Sequence, residues 1–165
     1  VSKFNTLSAM VIILLIALLL WQGVHMLATV NNMPRLKIKR ALQDIIEQDL
    51  GLALNVEQTQ QGFSDDVVCW ITGMNETYTR VRGGNAMQAE CVIEMQLYSQ
   101  IHETKIHEGI CQIIQIQPDN PRFKDLGFSI SDITPVASNT DYDDDSSDGG
   151  IVGTLSLKFS YLARF

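Results

Sequence analysis

TLSLKFSYL, residues 154–162, is the stretch whose reading decides the fold class of this chain. Leu155, Leu157, Phe159 and Tyr161 alternate with Thr154, Ser156, Lys158 and Ser160. Successive side chains of a strand point to opposite faces, so a period of two predicts a strand with one apolar face and one wet face. The same period recurs upstream, where Cys91, Ile93, Met95 and Leu97 alternate with Glu90, Glu94 and Gln96. Residues 67–72 and 110–117 read as further strands, and residues 128–133 as a shorter one. Turn signals separate them: Arg82-Gly83-Gly84-Asn85, His102-Glu103-Thr104-Lys105, Pro118-Asp119-Asn120-Pro121 and Gly149-Gly150. Residues 62–165 are therefore expected to form an antiparallel sheet of about four or five strands. No internal repeat is visible.

Before the sheet the period changes. Ile38, Leu42, Ile45, Ile46 and Leu50 recur at helical spacing, which predicts an amphipathic helix from residue 35 to about residue 53. Arg40 and Asp44 stand four apart, the spacing of a helical ion pair. Arg35, Lys37, Lys39 and Arg40 crowd its first turns, where cations oppose the helix dipole. Two arrangements relieve that conflict. The helix can run on from the preceding segment with a kink at Pro34, or the four cations can face lipid phosphates, each gaining about 1 kcal/mol near an anionic surface. Residues 31–61 are assigned to this kinked helix and its linker.

Further back lies a charge-free apolar run over residues 7–30. It contains Leu7, Met10, Val11, Ile12, Ile13, Leu14, Leu15, Ile16, Leu18, Leu19, Leu20 and Trp21. A helix needs about 20 apolar residues to cross a hydrocarbon core of about 30 Å, and this run is long enough. Trp21 and His25 fall toward its far end, at headgroup level. The run is longer than the apolar core of a signal peptide and lacks a small-x-small cleavage site, so it is read as retained. A plain single-pass anchor would need nothing more. The chain begins at Val1, as if a leader had been removed in front of the apolar run. The whole is read as α+β: a long amino-terminal transmembrane and amphipathic helix packed on the antiparallel sheet.

Phe4-Asn5-Thr6-Leu7-Ser8-Ala9-Met10-Val11 resembles the F-T-L-x-E-x-x-V opening of type IV pilins and type II secretion pseudopilins. The resemblance covers roughly the first 30 residues and the general layout. Those proteins are cut just before an apolar helix that stays on as the filament core, and their sheet domain faces outward. The family's glutamate is missing: Asn5 stands at the fifth position, and Ala9 stands there if Phe4, Thr6 and Leu7 are aligned instead. That points to a minor subunit. The resemblance implies a membrane-anchored, extracytoplasmic or extracellular protein that assembles with copies of itself or with related subunits, and a mechanical and adhesive role. One feature runs the other way. Four cations after the apolar run against Lys3 before it favour a cytoplasmic carboxyl-terminal domain under the positive-inside rule. A single-pass, non-catalytic subunit of a multiprotein membrane complex is the second reading.

The net charge of −7 is local, because five of the negative charges are Asp141, Asp143, Asp144, Asp145 and Asp148. With no extended basic face, a nucleic-acid partner is not expected. The acidic loop, residues 139–150, has alternate aspartates as calcium sites do, but no glutamate closes an EF-hand pattern. Its ordinary reading is a solvated loop. If it binds calcium, Asp141, Asp143, Asp145 and Asp148 are the ligands, and no other cofactor is expected. Cys69, Cys91 and Cys111 permit one disulfide, whose partners stay open; three buried thiols is the alternative. His102, His107 and Cys111 lack zinc-site spacing. Asn75-Glu76-Thr77 fits a glycosylation acceptor, a pattern too short to carry weight. No catalytic constellation is found, so no enzyme is expected.

Overall fold

The computed structural model describes residues 33–55, 66–83, 86–142 and 150–164. The chain divides into two compact units, residues 1–37 and 38–165. Of the first unit, Met33 to Lys37 are described; the apolar run lies outside the described residues. Helix α1, Pro34–Asp44, opens in that unit. The Met33 carbonyl accepts from Leu36 N (3.1 Å) and Lys37 N (3.2 Å). Proline suits this start, because the first turn of a helix has no carbonyl for its amide to find.

The second unit is built on a mixed five-stranded sheet in the order β1-β2-β3-β5-β4. Its strands are β1 (Ala53–Leu54), β2 (Val68–Arg80), β3 (Ala86–Ser99), β4 (Ile130–Tyr142) and β5 (Ile151–Arg164). β1 is parallel to β2; the other neighbours are antiparallel. α1 continues into a π-helical turn, Ile45–Asp49, where Leu50 N reaches back to the Ile45 carbonyl. The wider turn keeps both Ile45 and Ile46 in the core. Gly51, at φ 69°, then lets the chain leave the helix.

The alternation read in residues 154–162 is the organising feature. Odd residues of β3 and β5 face one another in rows: Cys91 with Phe159, Ile93 with Leu157, Met95 with Leu155. All six are buried. Helix α2, Glu103–Ile114, lies on this face against β3 and β5. It approaches closely because of two glycines. A Cβ on Gly109 would stand 2.7 Å from Leu97 Cδ2, and one on Gly153 would stand 2.6 Å from Ile106 Cγ2. A 3₁₀ helix, Pro121–Leu126, adds Phe123, whose ring meets Phe159 edge-on at 6.1 Å. Phe128 packs on Tyr161 at 5.1 Å. Ile38, Leu42, Ile45 and Ile46 belong to the same core. Burying an aliphatic side chain of this kind contributes about 1.5–3 kcal/mol. The even residues form the wetter face, with Lys158 and Glu90 paired at 3.5 Å.

Several expectations need correction. The predicted long amino-terminal helix on a wholly antiparallel sheet is not the observed fold: the sheet is mixed, and the helices among the described residues are short. Among the described residues no helix is long and apolar enough to cross a membrane. Residues 110–117 are not a strand. Ile106, Ile110 and Ile113 recur at helical spacing and hold α2 to the sheet, and the expected turn at residues 102–105 is its start. β4 runs much further than residue 133 and takes in Asn139 to Tyr142, the start of the expected acidic loop. It accommodates Pro135 as an edge strand can.

Candidate assembly and binding surfaces

The four cations of α1 keep their place in the first two turns. Arg35 is exposed and Lys37 half-buried; Lys39 is half-buried and Arg40 exposed. The first turn of α1 carries no acidic residue to offset them. The Arg40–Asp44 pair is not among the ion pairs of the described residues, which are Lys105–Asp66, His107–Glu103, Arg122–Asp49 and Lys158–Glu90. Arg40 therefore carries its charge into solvent. The apolar assembly residues, Leu7 through Trp21, lie outside the described residues.

The aspartate candidates are split. Asp141 sits exposed near the end of β4 and accepts from Asn139 Nδ2 at 3.0 Å. Asp143, Asp145 and Asp148 lie outside the described residues. Among the described residues no group of carboxylates, histidines and cysteines is placed to hold a metal ion. Beside Asp141, Tyr142 donates its hydroxyl to Glu103 Oε1 on α2. That bond favours the protonated phenol and raises its pKa. His107 approaches the same oxygen from the next turn at 3.7 Å. His102 instead donates its backbone N–H to Ser99 Oγ, where the chain turns into α2.

The cysteines do not converge as a strand pair. Cys69 stands across from Leu97, and Cys91 across from Glu76. Leu97 and Cys91 are six strand residues apart, roughly 20 Å along β3, far beyond disulfide reach. Burial pushes the Cys69 thiol up to about 12. Cys111 lies exposed on α2.

Two features had no signal in the sequence. The first is a contact across 73 residues. Arg122 Nη2 donates to Asp49 Oδ1 at 2.8 Å and to Gln48 Oε1 at 2.9 Å, and Arg122 Nε to Asp49 Oδ2 at 3.3 Å. This forked bond holds the Asp49 carboxyl below its usual range and raises the guanidinium. It pins the π-helical turn to the 3₁₀ helix. Beside it runs an open groove of about 450 Å³ lined by Ile45, Asp49, Leu50, Gln112, Ile116 and Pro121. Of its two carboxylates, Asp49 and Asp119, the first is taken by Arg122.

The second is the outer part of β2. β1 covers only Val68 and Cys69. Beyond them, Met74, Glu76, Tyr78 and Arg80 point to the face that is the core over β3, since their partners are Ile93, Cys91, Ala89 and Met87. Met74 and Tyr78 are nevertheless exposed, at 37% and 45%. Tyr78 donates to Glu76 Oε2, whereas Glu76 Oε1 finds no donor.

No protein-family model matches the chain, nor does any curated protein.

Proposed function

We propose that this chain is a non-catalytic structural subunit of a type IV pilus-like filament or secretion pseudopilus, anchored and assembled through its apolar segment. What supports the reading is the order of parts along the chain. A charge-free segment at residues 7–30 is followed within a few residues by the cations of α1, and then by Ile38, Leu42, Ile45 and Ile46, which are buried in a sheet core. The apolar residues have the length to wait in a bilayer and to pack afterwards against the same segment of neighbouring subunits. The cations Arg35, Lys37, Lys39 and Arg40 then meet lipid headgroups or a neighbouring subunit.

The second reading is a single-pass subunit of a multiprotein membrane complex. The cation cluster favours it, because it stands on the carboxyl side of the apolar segment and draws that side to the cytoplasm. Cys111 separates the two. It is exposed on α2, so a membrane-impermeant maleimide added to intact cells should label it if the sheet domain lies outside, as a pilus-like subunit requires. Labelling only after the membrane is opened would sink the pilus reading and leave the complex subunit.

A further inference from the structure

The two ends of the sheet differ in charge. At one end β2 passes into β3 and β5 finishes, with Arg164 in register with Ala86. Arg80 and Arg82 are exposed there, on either side of Val81, which is itself 42% exposed. Neither arginine is in an ion pair among the described residues. β4 brings Asp132 to this end, but β3 and β5 lie between it and β2, and it accepts from Thr134. At the other end β3 turns into α2 and β4 leads on to β5. Asp141 is exposed there, and so is Glu103, which opens α2 and accepts from Tyr142. Asp66 and Lys105 pair at 3.5 Å and offset one another. Apolar side chains accompany the carboxylates, with Ile101 64% and Tyr142 55% exposed. β5 spans 14 residues. The two ends therefore lie roughly 40 Å apart. The screening length in physiological salt is about 8 Å, so neither end neutralises the other within one molecule.

We propose that the arginine end of one copy docks on the acidic end of a second, so that the sheet domains associate end to end. Val81 of one copy then meets Ile101 and Tyr142 of the other, and Arg80 and Arg82 meet Asp141 and Glu103 around them. That is the make-up of a protein contact, apolar at its centre and charged at its rim. Charge also selects the orientation. Joining like ends would set arginine against arginine, or carboxylate against carboxylate, and both arrangements repel. The contact is heterologous, so each joined pair keeps one end of each kind unused and can add a third copy. It is made by the sheet domain alone, so it stands apart from the proposed pilus-like role, whose anchoring runs through the apolar segment.

The test is sedimentation of the full chain in detergent, comparing the wild type with Arg80→Glu/Arg82→Glu and with Arg80→Lys/Arg82→Lys. Charge reversal should weaken association about tenfold or more, and the lysine variant, which keeps the charge, should preserve it. A second measurement places the contact without altering charge. On a Cys111→Ser background, with the buried Cys69 and Cys91 left in place, chains carrying Val81→Cys are mixed with chains carrying Ile101→Cys. A short bifunctional thiol reagent should join position 81 of one copy to position 101 of another, in preference to 81 with 81 or 101 with 101. A monomeric wild type, association indifferent to the charge reversal, or joining of like positions in place of unlike ones would overturn the proposal.

Discussion

Asp49 and Arg122 are the clearest case of a tertiary contact made by two side chains. The pair is half-exposed and carries bidentate geometry, so its worth to stability is modest and electrostatic. Its sign with pH follows from the lowered carboxyl. A carboxylate held below its ordinary value of 3.8 stabilises the fold above that value, and the contribution is lost as pH falls through the lowered one. Arg122→Gln should therefore lower the melting temperature at pH 7, and its deficit against the wild type should shrink below about pH 3.8. Thermal melts of both chains at pH 7 and pH 2.5 measure this; a deficit that grows in acid would show that the pair is not the source. Neither partner could have been found in the sequence. Asp49 reads as the polar end of an amphipathic helix and Arg122 as one residue after a Pro-Asp-Asn-Pro turn, and only the fold brings them together.

At the scale of elements, the meeting of α2 with the sheet does most to set the architecture. Ile106 and Ile110 occupy the space a side chain at position 153 would need, with contacts of 2.6 and 2.8 Å to a Cβ built there. Gly153→Val should cost about 1–3 kcal/mol through overpacking, measured by urea denaturation of the full chain. A neutral result would mean that α2 lies further from β5 than described. This element is also the one whose sequence is most ambiguous. Residues 110–117 contain four isoleucines, which carry strand propensity, but Ile106, Ile110 and Ile113 also fit the period of a helix. Local composition points to a strand and the longer period to a helix, and the period is the better guide. β3 and β5 were legible because one face of each is buried along the whole strand and the other is wet. β1 was not, since two residues carry no period. β2 and β4 were read too short because edge strands expose both faces, and the alternation fades where the core ends.

At the scale of the molecule, a sheet domain with a buried core follows an apolar segment and a run of cations. The core positions of the domain were largely legible as periodic apolar residues. The cations and the apolar run are legible by composition, whereas the order of the strands across the sheet emerges only from the structure. The central claim is that the apolar segment stays with the protein and anchors it for assembly. Its most direct test is the intact mass of the protein purified from its native membrane, before and after removal of detergent and lipid. The account predicts a chain that retains residues 7–30. A mature chain lacking the apolar residues would contradict it.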